Sequence, residues 1–196
     1  RWRAVARATA SHNTLVLADT SSSRLIRHAA LSGLIGAPPI RGPLHVRADV
    51  EEHGGNLELS AEHDGYVERY GLAHKRVLSL SGTGQRIVGI DKLYLQRPSR
   101  RPKEPLPFAI HFHVHPDATC QADGSGRAAI ITLRSGGKWL LSVEGATLSI
   151  EDSTFFVDSA GPRAALQVVL RGSSLSESEV RWVLEAVSGT TDESSA

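Results

Sequence analysis

Turn residues recur along most of this chain at intervals of about 8 to 12 residues, and the segments between them alternate apolar with polar side chains. That spacing leaves little room for helices. In Leu44 to Val50 (LHVRADV), Leu44, Val46 and Ala48 fall on one face and His45, Arg47 and Asp49 on the other, the pattern of a half-buried strand. The Gly-rich SGTGQ then separates Arg76–Leu80 from Arg86–Leu95 (RIVGIDKLYL), as a hairpin turn separates antiparallel neighbours. Further strands are expected at 15–17, 56–61, 108–115, 128–133, 138–143, 146–150, 153–158, 164–171 and 180–187. Ser176 and Glu179 form a capping-box pair, so 174–187 could instead be helical; the strand reading is preferred. About a dozen short strands without a three-turn helix predict an all-β fold: a two-layer antiparallel β-sandwich, supersandwich-like in its strand number.

Composition narrows the function classes. The chain has 196 residues, 40% hydrophobic and 22% charged, with a net charge of +1. Such a balance gives no electrostatic footprint for nucleic acid or an anionic membrane. No apolar run approaches the roughly 20 residues that span a bilayer. Cys120 is the single cysteine, which excludes an internal disulfide and a Cys-rich zinc site; a metal would need His, Asp and Glu. The chain begins at Arg1 and contains no methionine, as expected of a piece of a longer protein. The stretch DTSSSRLIRHAALSGLIGAPPIRGP reads as a long loop of the kind that often carries binding function. QRPSRRPKEPLP reads as an exposed, solvated crossover.

Three clusters carry candidate chemistry. In RWRAVARATASHNTLVLAD, His12 stands beside Asn13 and Thr14, just before the apolar Leu15, Val16 and Leu17, with Arg3 and Arg7 upstream. An imidazole at a strand entrance can face a cleft while the strand anchors it; a surface histidine in an Asn–Thr turn is the plain alternative. His111, His113 and His115 alternate with Ile110, Phe112 and Val114, which puts three imidazoles on one strand face. Two of them could share a metal with a ligand from another strand, or the face could be a polar, carbohydrate-facing platform. His63, Asp64 and Tyr66 (HDGY), then Tyr70, His74 and Arg76 (YGLAHKR), have the flat rings and cation that a sugar groove uses; a satisfied turn around Gly65 is the alternative. P-loop, GxGxxG, GxSxG and HExxH motifs are absent.

RWRAVARATASHNTLVLADTSS, AEHDGYVERYGLAHKRVLSL, GIDKL, IHFHVHPD, GPRAALQVVL and VRWVLE, in that order, resemble the C-terminal β-domain of the heparinase II/III family of polysaccharide lyases. The resemblance runs over residues 1–188, with 189–196 expected as a disordered tail. It implies a β-sandwich that packs on an N-terminal α/α toroid, absent from this chain, with the substrate cleft between them. The implied reaction is β-elimination at a uronic acid: a base removes the C5 proton, the carboxylate is neutralised, and the C4 glycosidic bond breaks. His12 matches the β-domain histidine of the family's His-Asn/Ser-Thr motif. The resemblance therefore implies a catalytic role for it, in polarising the substrate carboxylate or relaying a proton. Arg7, Asn13, His63, Tyr66 and His74 are the implied substrate-binding residues.

Some relatives hold a structural zinc through a His-x-His-x-Asp pattern. Ala10 and Ser11 stand before His12 here, so no metal ligands are assigned to a structural zinc or calcium. The implied partners are an acidic polysaccharide and the missing toroid, and the implied location is the periplasm or cell envelope. The isolated chain is expected to lack lyase activity. A non-catalytic carbohydrate-binding or interaction module and a stand-alone metal enzyme using His111, His113 and His115 are the rival readings.

Overall fold

Along residues 86–95, Ile87, Gly89, Asp91 and Leu93 turn to one face and Val88, Ile90 and Lys92 to the other. This two-residue period, repeated strand after strand, builds the molecule. The computed structural model describes residues 6–25, 39–156, 161–175 and 177–187. The expected tail 189–196 and the middle of the predicted loop, 26–38, lie outside them.

Two antiparallel sheets make the sandwich. The smaller has four strands in the order β1 (Leu15–Leu17), β8 (Leu106–His113), β13 (Arg163–Ser174), β12 (Thr147–Phe155). The larger has eight: β4 (Val46–His53), β5 (Asn56–His63), β6 (Leu72–Leu80), β7 (Arg86–Leu95), β14 (Ser178–Ala186), β11 (Lys138–Glu144), β10 (Ala128–Thr132), β9 (Thr119–Ala122). A two-stranded piece pairs β2 (Arg24–Leu25) with β3 (Pro39–Arg41), and a single helical turn, α1 (Val67–Tyr70), leads into β6. Gly71 ends that turn at φ 72°, and its Cβ position would lie 2.6 Å from the Arg97 carbonyl oxygen, so only glycine fits.

The core lies between the sheets. Leu15, Leu17, Phe108, Ile110, Val168, Leu170 and Leu148 meet Leu93, Leu141, Val143, Val180 and Trp182. Phe112 stands edge-on to Trp182, with ring centroids 4.8 Å apart.

Several boundaries differ from the expected ones. The two strands expected at 146–150 and 153–158 are one continuous β12. Ser178–Ala186 is strand rather than helix, because Val180, Trp182 and Leu184 alternate toward the core. β9 was not anticipated: it is short, and Cys120 is its one buried residue. The strand expected as half-buried at 44–50 is β4, and all eight of its residues are exposed. The larger sheet is wider than the smaller one, so nothing among the described residues covers its β4 end.

Candidate functional site

The sequence before β1 folds as a 3₁₀ turn, Thr9–Ser11, whose carbonyl at Thr9 accepts from the His12 amide at 3.1 Å. The turn is strapped to the segment after β1. Thr9 N–H donates to Ser21 Oγ at 3.2 Å, and Ser22 N–H donates to Thr9 Oγ1 at 3.0 Å. The chain then reaches β1 through His12, Asn13 and Thr14, with His12 and Asn13 exposed.

Asn13 is held from both sheets. Its Oδ1 accepts the His113 amide of β8 at 2.7 Å, and its carbonyl oxygen accepts from Arg76 Nη1 of β6 at 2.5 Å. His12 directly precedes this residue fixed by two layers, and it lies near enough to the His113 ring to act on it electrostatically. Arg7 is exposed one turn upstream.

Next to this clamp the outer face of the smaller sheet carries His111 and His113, stacked with centroids 6.1 Å apart and planes 11° apart. Partners fix both tautomers. His113 Nε2–H donates to the Ala10 carbonyl at 3.0 Å, so its Nδ1 accepts from Ser153 Oγ at 2.8 Å. Burial and the neighbouring His111 and His12 push the His113 pKa down, although its bond to Ala10 acts in the other direction. Gln167 Nε2 donates to the Asp152 carbonyl, which turns Gln167 Oε1 toward His111; His111 Nδ1–H donates to it at 3.0 Å.

On the inner side of the clamp lies a buried charge cluster. Asp91, 1% exposed, accepts four hydrogen bonds: from His74 Nε2 (2.7 Å), Arg76 Nε (2.8 Å) and Nη2 (3.0 Å), and Trp182 Nε1 (2.9 Å). Burial alone would raise its pKa, but the His74 bond and the Arg76 charge outweigh that and hold it below the ordinary carboxylate value. The chain of imidazoles behind it has one proton arrangement. Gly65 N–H donates to His63 Nδ1 at 3.1 Å, so the His63 proton sits on Nε2 and is donated to His74 Nδ1 at 3.3 Å; His74 then donates from Nε2 to Asp91. Burial, with the nearby His74 adding to it, lowers the His63 pKa to about 4.

The structure corrects two of the expected roles. Tyr66 is 0% exposed and its hydroxyl donates to the Leu15 carbonyl at 2.9 Å, so it fastens α1 to β1 in the core and cannot line a cleft. His74, at 3% exposure, is bound at both ring nitrogens and holds Asp91 rather than a sugar. The three-histidine metal face also fails. β8 ends at His113, and His115 lies just beyond it, its ring edge-on to Phe155 and its Nδ1 accepting from Asp117 N–H. Among the described residues no group of three or more His, Cys, Asp or Glu is placed to hold a metal, so neither zinc nor calcium has a ligand set there.

The profile of the heparinase II/III-like C-terminal family matches residues 1–183. The chain belongs to this family. In sequence, the heparinase II/III-like domain is 30% identical over 183 residues to FtsZ-localized protein C of Caulobacter vibrioides, a match that takes in 90% of this chain and 31% of that protein. In structure, it superposes on heparan sulfate lyase HepC from Pedobacter heparinus with a TM-score of 0.71 at 13% identity, over 97% of this chain and 26% of that one. Heparinase III gives a TM-score of 0.67 at 14% identity, over 99% of this chain and 26% of that one. The chain thus spans under a third of the relatives it matches, and the likeness to the lyases is one of fold.

Sequence reasoning missed the hub of this heparinase II/III-like domain. Asp91 had a readable signal: it is a carboxylate on the same strand face as Ile87 and Leu93, where a buried charge needs a cation. The convergence of Arg76 and Trp182 on Asp91 had none, since it depends on three strands lying side by side.

Proposed function

We propose that this domain forms one wall of a site for uronic-acid-containing acidic glycans in a longer polysaccharide lyase that acts by β-elimination. The observation that carries the reading is His12: an exposed imidazole next to Asn13, which both sheets clamp, beside the outward-facing His111 and His113. In this reading His12 neutralises the substrate carboxylate or relays the C5 proton, and Arg7 and Asn13 line the approach. His63, half-buried at the end of its relay, lies nearest to the second rank of contacts. The rest of the cleft, including the remaining acid–base groups, belongs to an α-helical toroid elsewhere in the longer protein. The substrate class places the reaction in the periplasm or cell envelope. The test is to give the full-length protein a panel of acidic glycans and follow near-ultraviolet absorbance. Unsaturated uronate should accumulate on at least one of them; a flat trace on all would remove the lyase reading.

A second reading has its own observation. The relative at 30% identity carries a name that states where it localises and no reaction, whereas the lyases share 13–14% with this chain. A non-catalytic glycan-binding or interaction module would keep the clamp and show binding without any absorbance change.

A further inference from the structure

The larger sheet ends at β4, and no strand among the described residues pairs with its outer edge. Proteins usually blunt such an edge with proline, a bulge or a charge turned toward the apolar face. Between Val46 and Val50 β4 has none of these; the charge on the apolar face, Glu52, stands next along toward the turn. Its register with β5 runs without a shift, and the strand contains neither proline nor glycine. Pairing carries its even-numbered residues onto the core-facing side of the sheet, in line with Leu59 and Ala61, then Leu78 and Arg76. Arg47 and Asp49 take the polar side. Val46 and Val50, 67% and 64% exposed, thus extend the apolar face to the very edge.

The hairpin fixes which backbone groups look outward. Its two-residue turn, Gly54 and Gly55 at φ 58° and 82°, closes on His53 and Asn56, which makes that pair hydrogen-bonded. By alternation, residues 51, 49 and 47 spend their N–H and C=O groups on β5, and Val46, Ala48 and Val50 direct theirs away from the sheet.

We infer that this edge pairs with a second copy of the same chain, β4 against β4, antiparallel about a two-fold axis through Ala48. One register satisfies the side chains from Val46 to Val50. With Ala48 opposite itself, Val46 faces the second copy's Val50 on the apolar side, and Arg47 faces the second copy's Asp49 on the polar side, each twice by symmetry. A slip that centres the axis on Asp49 puts two carboxylates together and sets Val46 against Glu52. An axis through Arg47 opposes two guanidinium groups, and one through Val50 sets Asp49 against Glu51. The three pairs around Ala48 supply two hydrogen bonds apiece, and the apolar strips of the two copies join across the axis. This inference is independent of the glycan reading.

The test is sedimentation of the chain from micromolar to millimolar concentration, with circular dichroism to show that each variant is folded. The wild-type chain should pass reversibly from monomer to dimer. Arg47→Asp and Asp49→Arg should each weaken self-association about tenfold or more, since two attractions become repulsions. An equal mixture of these two variants should dimerise again, because each then opposes opposite charges. Ala48→Cys should cross-link to itself on oxidation, the Cα atoms of a hydrogen-bonded pair lying about 5.5 Å apart, within disulfide reach. Cys120 is buried, which leaves the new thiol as the accessible one. A wild-type chain that stays monomeric throughout, a dimer indifferent to both charge reversals, or no cross-link at position 48 would each overturn the proposal.

Discussion

A single carboxylate, Asp91, joins four side-chain donors from β6 and β14 at almost zero exposure. Its negative charge offsets the partly buried guanidinium of Arg76. Asp91→Asn keeps the shape and removes the charge, so Arg76 is left uncompensated; the cost expected from breaking one half of a buried pair is about 3–5 kcal/mol, read from denaturant unfolding. Tyr66→Phe should cost about 1 kcal/mol in the same assay, the value of one buried hydrogen bond, and leave glycan affinity unchanged, which separates an anchor from a cleft residue. The pH response follows from His63. Its folded pKa of about 4 lies below the ordinary 6.5, so folding favours the neutral ring. The stability this confers is complete above pH 6.5, erodes as pH falls toward 4, and is gone below that. Melting temperatures measured across this window should therefore fall with acidification. The slope should be shallower in His63→Gln but not flat, because the His113 pKa is also pushed down.

At the scale of the element, β1 is three residues long, yet it carries the candidate site, because Asn13 ties its entrance to β6 and β8. Asn13→Ala removes the acceptor of the His113 amide. Hydrogen exchange at His113 should accelerate, while the His111 amide, bonded to the Thr14 carbonyl at 3.0 Å, should keep its protection. Alternation made β5, β7, β10, β11 and β14 legible in the sequence, with ends correct to a few residues. It failed where burial depends on what lies opposite. β4 alternates as cleanly as β7, but it projects past the smaller sheet and remains exposed along its length. The ends of β8 were similarly out of reach: the strand runs two residues earlier than expected, which leaves His115 beyond its end, and the three imidazoles form no metal-holding group among the described residues. The position of His12 before a strand could be read; the clamp that holds it could not, because both of its partners lie more than 60 residues away.

For the molecule as a whole, the sandwich sorts its histidines by layer. His74 and His63 are spent inside, on the charge cluster that welds β6, β7 and β14. His12, His111 and His113 gather at the edge of the smaller sheet, where a substrate or an adjoining domain can reach them. Fold resemblance to the heparan sulfate lyases is consistent with either a catalytic or a binding use of that edge, so the residue chemistry decides. The most direct measurement is turnover by full-length protein carrying His12→Ala, on whichever acidic glycan the wild type cleaves. If His12 is the imidazole that meets the uronate, the rate of unsaturated-product formation should drop by about 10²-fold or more with folding unaffected. A variant that turns over at close to the wild-type rate would contradict the account.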